Sequence, residues 1–389
     1  MTLTAEPGGG VIDRVRTVLD AHWRAEGRTV PNAGTYPFGW LWDSCFHALV
    51  WAALGVPERA VAELRAVFRC QQGDGFVPHL DYGRAGSAPE PHAALWGRSD
   101  CSSITQPPMY GHAVAALVRG GIAVPGDIIE AAAKGLRFLT RARPRHRSGL
   151  VAVCHPWETG CDDSPRWDWW YTAPDDAASR YRVKGALVAT IERSGGGSPL
   201  HNPAFDCAPA GFSALVAFNL RELAFVTGDG TDEADELVEA LDARWDHGLG
   251  TWVDAGAAQA TSGRIRTLDG LLPALVTARR DARALAGRAA ADPAAFGGRF
   301  GPGFVHRHEP CREPRRYWRG GVWPPLAYLL ALTGAGVGPA TVSGALASGF
   351  AEYWDPDDGT AMGASPQSWA GLALLLDHDA ARAGGVPGA

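Results

Sequence analysis

The chain has 389 residues, of which 46% are hydrophobic and 20% charged, so it can bury a large core. Its formal net charge of -6 and pI of about 6.1 provide no basic surface, which argues against a nucleic-acid partner. No segment reaches the roughly 18 uninterrupted apolar residues of a membrane span, and residues 1–7 lack the basic and apolar regions of a secretory signal. We therefore expect a cytoplasmic protein that binds neither nucleic acid nor membranes.

Apolar residues recur every three to four positions in twelve segments, which predicts amphipathic helices. Pro57 marks one helix start, as proline at the first helical position often does. Alternating patterns are nearly absent, and residues 248–254 are the best candidate for a strand, as one arm of a short hairpin. The predicted helices cover residues 9–25, 43–54, 57–72, 109–119, 126–141, 206–227, 231–246, 266–276, 278–290, 321–334, 338–353 and 365–378.

Twelve helices without a repeated sequence motif favour a closed ring of six helix pairs over a solenoid. We therefore predict an all-α fold, an (α/α)6 barrel, in which residues 1–389 form a single catalytic domain. Gly/Ser tracts at 83–87 and 194–198 suit a moving lid, although an inert linker explains them equally well. The longest loops, expected to cap one rim of the ring, are 73–108, 142–205 and 291–320.

The most unusual stretch is residues 155–168, where acidic residues alternate with Trp157 and Trp167. Its Pro and Gly residues follow neither a helical nor a strand period, so we expect a loop. Acids enclosed by aromatic rings have a raised pKa, and the ring faces can bind the apolar face of a sugar. The stretch predicts a carbohydrate active site whose second carboxylate lies elsewhere in the chain.

A second aromatic cluster ends in Trp42-Asp43-Ser44, just before a predicted helix. Asp43 can cap that helix, or its two oxygens can bind neighbouring sugar hydroxyls while Trp40 or Trp42 stacks on the ring. Gln106 precedes two prolines and can both donate to and accept from a ligand. Taken alone, Gln106 is as well explained by a loop amide that binds backbone.

Residues 315–325 form a third aromatic cluster, again a loop that enters a helix. Arg beside Tyr and Trp can stack on the rings or bind a carboxylate, and the glycines allow close approach of the backbone. The cluster contains Tyr317, Trp318 and Trp323 next to Arg315 and Arg316.

A fourth cluster, residues 350–359, contains Glu352, which we place in the last turn of the predicted helix 338–353. An acid there opposes the helix dipole, at a cost of about 0.3–1 kcal/mol for an exposed site. A residue placed against local preference favours a functional role, with an exposed or paired glutamate as the alternative.

Seven cysteines are scattered along the chain without C-x-x-C spacing, so we expect free thiols in a reducing compartment and no metal site. The twelve histidines are equally dispersed. His79 and His155 near the predicted rim would have to carry the chemistry of a sugar isomerase, which is a weaker interpretation than a glycosidase.

Five motifs in one order resemble glycoside hydrolase family 63, and within it the bacterial mannosylglycerate and glucosylglycerate hydrolases. The resemblance extends from about residue 30 to residue 378, and five motifs in one order are far more specific than any one. Trehalases of family 37 share the Glu-x-Gly-x-Asp core, here Glu158-Thr159-Gly160-Cys161-Asp162, more distantly. The motifs are Trp42-Asp43-Ser44 and residues 103–108, 155–168, 317–325 and 352–356.

The resemblance implies an (α/α)6 barrel that inverts the anomeric carbon, with Asp162 as general acid and Glu352 as general base. Such enzymes hold the two carboxyl groups about 6.5–9.5 Å apart on opposite faces of the glycosidic bond. Asp162, among tryptophans, is the better candidate for a raised pKa, and Glu352, near a wetter turn, for the base. The resemblance also implies sugar contacts from Tyr36, Trp40, Trp42, Asp43, Gln106, Trp157, Tyr317, Trp318 and Trp323.

One departure from the family pattern is Asp163, where related sequences more usually carry Asn. If this acid points inward, it raises the pKa of Asp162 further. The chain is also somewhat shorter than family members, which suggests trimmed loops around the acceptor site. A glycerate carboxylate needs a cation or a cluster of hydroxyls, and Arg180, followed by Tyr181, is our prediction, with Arg315 or Arg316 in reserve.

The sequence thus predicts an inverting glycosidase for a small α-glucoside or α-mannoside, with glucosylglycerate ranked before mannosylglycerate. Water and two carboxylates suffice for this reaction, so we expect no metal and no organic cofactor. One alternative is a trehalase-like or other α-glucosidase that acts on a disaccharide. An alternative of another class is a non-catalytic carbohydrate-binding ring that keeps the aromatic site. The sequence leaves a homo-oligomer open.

Overall fold

The computed structural model describes residues 10–83, 86–171, 176–257 and 262–377. Positions 9 and 378 of two predicted helices, and Arg84-Ala85 of the first Gly/Ser tract, lie outside these ranges. The α-helices are α1 (Val11–His22), α2 (Leu41–Ala53), α3 (Pro57–Val67), α4 (Glu90–Trp96), α5 (Tyr110–Arg119), α6 (Gly126–Arg137), α7 (Ala177–Val188), α8 (Ala210–Thr227), α9 (Thr231–Asp242), α10 (Arg280–Ala291), α11 (Pro324–Ala331) and α12 (Gly338–Ala347). Two 3₁₀ helices, Leu268–Leu275 and Ser368–Leu372, matter equally for the architecture.

Each of the twelve predicted helical segments contains a helix, so the prediction of a helix-rich fold is confirmed. Two further helices, α4 and α7, lie in regions 73–108 and 142–205, and the prediction that these are loops is wrong at those positions. Helix α4 has only seven residues, and the apolar residues of α7 form no stripe, so neither shows a helical period. Region 291–320 contains no helix beyond the end of α10.

The strands of the described chain are two or three residues long and pair antiparallel. The predicted hairpin at 248–254 exists, as Trp245–Asp246 paired with Thr251–Trp252. Two residues are too few to reveal a period of two, which is why the other pairs escaped prediction. These are Trp23–Arg24 with Arg28–Thr29, Gly39–Trp40 with Leu80–Asp81, Glu192–Arg193 with Pro199–His201, Cys207–Ala208 with Ala255–Gly256, and Tyr353–Trp354 with Ala361–Met362.

Six helical segments contact one another in a closed circle. Helix α2 packs on α5, α5 on α8, and α8 on the 3₁₀ helix Leu268–Leu275. This 3₁₀ helix packs on α11, α11 on the 3₁₀ helix Ser368–Leu372, and the last one returns to α2. Helices α3, α6, α9, α10, α12 and α1 pack on successive members of the circle from outside, so inner and outer helices alternate along the chain.

Burial explains which helices lie inside. In α2 every residue from Leu41 to Trp51 is buried, as expected for a helix with neighbours all round. Outer helix α9 buries only one side, through Ala234, Leu237, Val238 and Leu241. In the part of the chain that the structure describes, α8 is the one helix long and apolar enough to cross a membrane, and 67% of it is buried inside the protein. Its place in the inner circle accounts for its composition.

The structure excludes the alternative in which Asp43 caps a helix, and the prediction that Glu352 lies in the last turn of a helix is wrong. Asp43 does not cap α2, because Trp40 occupies the N-cap position and Asp43 is the third helical residue. Glu352 is not in the last turn of a helix, because α12 ends at Ala347 and Glu352 directly precedes the strand Tyr353–Trp354. The argument from the helix dipole therefore does not apply to Glu352.

Candidate active site

Two adjoining pockets, with volumes of about 60 Å³ and 510 Å³, lie at one end of the circle of helices. We call them the inner and the outer pocket. The inner pocket is lined by Pro31, Tyr36, Trp40, Trp42, Asp43, Gln106, Gly160, Asp162, Tyr317, Glu352, Gln367 and Trp369. Asp162 lines both pockets and therefore lies where they meet, whereas Glu352 lines only the inner one.

Three residues of the inner pocket lie at or shortly before the start of an inner helical segment. Trp40 is the N-cap of α2, Gln106 comes shortly before α5, and Gln367 is the N-cap of the 3₁₀ helix Ser368–Leu372. The N-terminal ends of three inner segments therefore lie at one pocket. The positive ends of helix dipoles favour negative charge, so this end suits a pair of carboxyl groups.

Three donors hold the carboxyl group of Glu352. The hydroxyls of Tyr36 and Tyr317 donate to Oε1 at 3.0 and 3.4 Å, and the backbone N–H of Ala364 donates to Oε2 at 2.8 Å. Glu352 is buried, contrary to the wetter environment expected from the sequence. Burial raises its pKa, and the three hydrogen bonds oppose this by favouring the ionised form.

Asp162 is partly buried and has a charged neighbourhood. Burial is the main cause that raises its pKa to about 8; the Lys184 ammonium lowers it, and the negative charges of Asp163 and Glu352 raise it. At neutral pH this carboxyl group therefore holds its proton, as a general acid must. The raised pKa expected from the sequence agrees in direction, although neighbouring charges contribute beside the aromatic surroundings.

Buried ion pairs fix the loop of Asp162 on both sides. Glu158 receives two hydrogen bonds from Arg143, at 2.7 and 2.8 Å, and both side chains are fully buried. Arg166 binds Asp254 at 2.9 Å, again with both side chains fully buried. Between the two pairs, Gly160 has φ of +75° and lies against Trp42, whose ring would be 2.6 Å from an added Cβ. The two ion pairs and the contact of Gly160 with Trp42 thus fix the loop, and Asp162 lines both pockets.

Asp163 faces the outer pocket and links the loop to α7. It accepts a 2.9 Å contact from Arg180 Nε and a hydrogen bond from Lys184 Nζ, which also donates to the backbone carbonyl of Asp162 at 2.5 Å. The extra acid anticipated from the sequence therefore raises the pKa of Asp162, while the Lys184 ammonium lowers it. The predicted anion-binding residue Arg180 lines the outer pocket, whereas Arg315 and Arg316 line a neighbouring groove on the rim.

Polar atoms on the inner pocket wall lack partners among the described residues, although they are buried. They are Asp43 Oδ1, Gln367 Oε1 and Trp40 Nε1. Leaving such atoms without a hydrogen bond costs about 1–3 kcal/mol each, which a bound polyhydroxyl ligand would recover. Burial raises the pKa of Asp43 to about 8, so at neutral pH it both donates and accepts, rather than acting as the carboxylate expected from the sequence.

Sequence reasoning missed Gln367 and Trp369. Both lie inside the segment 365–378, which was predicted as a helix, and the helical pattern hid the pocket position of its start. The sequence did contain one signal, the position of Gln367. Like Gln106, it is a polar amide shortly before an apolar helical segment.

Most predicted sugar contacts line the pockets, but three differ from the expectation. Trp157 lines the outer pocket only. Trp318 and Trp323 line neither pocket; they are buried and stack on each other with ring centroids 3.6 Å apart, and Trp323 stacks on Tyr353 at 4.4 Å. Their rings support Tyr317, which contacts Trp323 edge-on and presents its hydroxyl to Glu352.

His79 and His155 do not form a basic centre. Burial lowers the pKa of each to about 3, so both are neutral. His79 pairs with Ser102 at 2.6 Å, and His155 pairs with the carbonyl of Lys184 at 2.9 Å and lines neither pocket. These positions remove the observation on which an isomerase would rest.

Two carboxyl groups in different environments, within aromatic walls and beside unpartnered polar atoms, define the site of a glycoside hydrolase. Residues 36–370 match the mannosylglycerate hydrolase MGH1-like glycoside hydrolase domain. The chain belongs to this glycoside hydrolase family.

Relatives in sequence and structure agree with this assignment. A mannosylglycerate hydrolase of Thermus thermophilus is 30% identical over 89% of this chain and 96% of that enzyme. The glucosylglycerate hydrolase of Mycolicibacterium hassiacum is 26% identical over 87% of this chain and 91% of that enzyme. The crystal structure of a GH63 mannosylglycerate hydrolase from another strain of Thermus thermophilus, in complex with Tris and D-glycerate, matches 95% of this chain and 100% of that chain with a TM-score of 0.78 and 25% identity.

Proposed function

We propose that this glycoside hydrolase inverts the anomeric configuration, with Asp162 as general acid and Glu352 as general base. The observation that carries this proposal is the contrast between the two carboxyl groups that line the inner pocket. Asp162, with a pKa of about 8, lies at the junction of the pockets, where a leaving oxygen would be. Glu352 lies inside, where three donors favour its ionised form and allow it to take a proton from water.

The proposed substrate is an α-glycoside of glycerate, with the hexose in the inner pocket and glycerate in the outer one. Support comes from the names of the relatives and from the cations Arg180 and Lys184 on the outer pocket wall. Asp163 balances one positive charge, so the three groups together carry a single excess positive charge, which suits a monocarboxylate. Glucosylglycerate and mannosylglycerate are the two candidates, and higher identity to the mannosylglycerate hydrolases places that substrate first in a test.

We further propose that the circle of inner helices and its outer partners form an (α/α)6 barrel that is one catalytic domain. The order of helix contacts supports this, because inner and outer helices alternate and the last inner segment returns to the first. We also propose that the enzyme acts in the cytoplasm and without a cofactor, because the scattered cysteines suit a reducing compartment and because water and two carboxyl groups suffice for the reaction.

The test is a substrate panel containing mannosylglycerate, glucosylglycerate, trehalose and other α-glucosides, with the first anomer released followed by NMR. We expect glycerate glycosides to be hydrolysed fastest and the β-anomer to appear first. Release of the α-anomer would overturn the inverting mechanism, and faster cleavage of trehalose would overturn the assignment of substrate.

The roles of the carboxyl groups are tested by Asp162→Asn and Glu352→Gln. General acid and base catalysis each contribute about 10²–10⁴-fold, so we expect losses of about 10³-fold in kcat. Asp358→Asn is the matched control, since this exposed acid lies on the turn beyond Glu352 and should retain full activity. Wild-type hydrolysis by either pocket variant would refute the assigned roles. Sugar binding without hydrolysis by the wild-type protein would instead support the non-catalytic alternative.

A further inference from the structure

Two cysteines far apart in sequence lie side by side on the flank of the outer pocket. Sγ of Cys70, Sγ of Cys101 and a carboxylate oxygen of Asp100 all lie within 4.8 Å of one another. Both thiols are free; Cys70, after the end of α3, is half-buried, and Cys101 is fully buried. A β-bridge with Asp81 fixes the backbone of Cys101. The proposed hydrolysis does not use either thiol.

We propose that Cys70 and Cys101 form a reversible disulfide when the protein is exposed to hydrogen peroxide. The Cys70 thiolate attacks a peroxide oxygen, the O–O bond breaks, and one water leaves after protonation, giving the sulfenic acid of Cys70. The Cys101 thiolate then attacks that sulfur, the S–S bond forms, and the S–O bond breaks with release of a second water. Two thiols lose two electrons and the peroxide gains them. Cys70 reacts first because it is the thiol that solvent reaches.

The surroundings favour a disulfide over a metal ion. Two thiolates and one carboxylate would suit zinc, but Asp100 is engaged by Arg98, whose Nε and Nη2 lie 3.3 and 3.4 Å from its two oxygens. The same guanidinium also interacts with the Cys101 thiol, which places a positive charge beside the three donors. Cys101 and burial raise the pKa of Cys70, so only a small fraction of this thiol is ionised and its oxidation is slow.

The cross-link would close a chain segment that contributes to the wall of the outer pocket. The segment between the two cysteines includes α4, whose His92 and Trp96 line that pocket. Tyr82 ties α4 to the same segment, since its hydroxyl contacts His92 at 3.0 Å and accepts from Trp96 Nε1 at 2.8 Å. Closing this segment covalently removes freedom mainly from the unfolded chain. We expect oxidation to raise the midpoint of thermal unfolding by about 5 °C.

The test treats the full-length protein with hydrogen peroxide, blocks remaining thiols, and maps peptides by mass spectrometry. We expect a cross-linked peptide pair containing Cys70 and Cys101, lighter by two hydrogens, that dithiothreitol separates. Cys70→Ser should abolish both the cross-link and the rise in unfolding temperature. Cys311→Ser is the matched control, because Cys311 is also half-buried but lies in the region 291–320, and this variant should behave as wild type.

Several results would overturn the proposal. One is oxidation of Cys70 to the sulfinic acid with Cys101 still free. Another is a cross-link whose formation leaves the unfolding temperature unchanged. Equimolar binding of zinc that protects both thiols from alkylation would assign the cluster to a metal instead. None of these readouts depends on hydrolysis, so failure here is distinguishable from failure of the proposed activity.

Discussion

The two sides of the inner pocket hold their carboxyl groups in different ways. The acid side rests on ion pairs, with Arg143–Glu158 and Arg166–Asp254 beneath the loop and Lys184 beside Asp162. The base side rests on uncharged donors, because Glu352 accepts from two tyrosine hydroxyls and one backbone N–H.

In the proposed mechanism this difference matters, because the acid Asp162 and the base Glu352 need opposite protonation states at one pH. Neighbouring charges act over several ångströms and can adjust a pKa without touching the carboxyl oxygens, which leaves Asp162 able to give up its proton. Direct hydrogen bonds stabilise the charged form, which suits a base that must stay ionised in a buried site. Activity should therefore fall as pH rises through the pKa of Asp162, near 8, and as pH falls through the pKa of Glu352.

Breaking the ion pair beneath the acid should have the largest effect on stability. Arg143→Met leaves the carboxylate of Glu158 buried and unpaired, which should lower the free energy of unfolding by about 3–5 kcal/mol. Denaturant unfolding measures this, and Arg141→Met is the control, since Arg141 pairs with Glu233 at an exposed site and should cost at most about 1 kcal/mol. Equal losses in the two variants would mean that the buried pair does not anchor the loop.

On the base side, the corresponding change is Gly363→Ala. The backbone of Gly363 has φ of +72°, and an added Cβ would meet Glu352 Oε2 at 2.3 Å, so the carboxyl group must move. We expect kcat to fall by about 10²-fold through misplacement of the base, with about 1–2 kcal/mol lost from the left-handed backbone. Gly349→Ala has a similar φ of +68° but open space around the new Cβ, so it should lose stability without losing activity. Full activity in Gly363→Ala would show that Glu352 tolerates displacement.

Tyr36→Phe removes a neutral donor from the base. The lost hydrogen bond lowers the pKa of Glu352 in the wild type, so the variant's pKa should rise and the acidic limb of kcat/KM should move to higher pH. We expect about tenfold lower kcat/KM near neutral pH, with an unchanged alkaline limb. A shift of the alkaline limb instead would place the tyrosine's influence on Asp162.

Lys184→Met should have the smallest effect on kcat and the opposite signature in the pH profile, while KM for a glycerate glycoside should rise because Lys184 lines the outer pocket. The ammonium lowers the pKa of Asp162, so its removal should raise that pKa and move the alkaline limb to higher pH, while the acidic limb stays in place. Lys184→Arg keeps the charge and should restore the wild-type profile. An unchanged alkaline limb in Lys184→Met would contradict the view that charges control the acid.

The helices were predictable because packing shapes their sequences. The apolar spacing in α9 follows from one buried face, and the mainly apolar sequence of α2 follows from burial of nearly the whole helix; both patterns are local. Helix α7 lacks such a pattern because it covers the pocket with polar residues such as Arg180 and Lys184. The apolar period therefore predicted the helices of the closed circle and missed α7, which lines the outer pocket.

For the candidate site, residue types were more predictable than their surroundings. Acids beside tryptophans marked the two stretches, and the resemblance to glycoside hydrolase family 63 selected Asp162 and Glu352 within them; the structure brings both residues into one pocket. Sequence could not reveal that Trp318 and Trp323 face the interior, because a buried stack and a pocket wall use the same aromatic residues. Nor could it show that Lys184 reaches Asp162, since that contact depends on where α7 docks.

The inner pocket draws residues from the starts of three inner helical segments, whereas α4 and α7 form part of the outer pocket wall. Trp40, Gln106 and Gln367 come from different connections, each anchored by the start of a buried helix. A connection can lengthen or shorten above these anchors at little entropic cost, since doubling a loop costs only about 0.6 kcal/mol. The outer pocket can therefore be reshaped by editing α4, or the part of α7 that leaves Lys184 in place, while the carboxyl groups and the inner-pocket residues keep their positions.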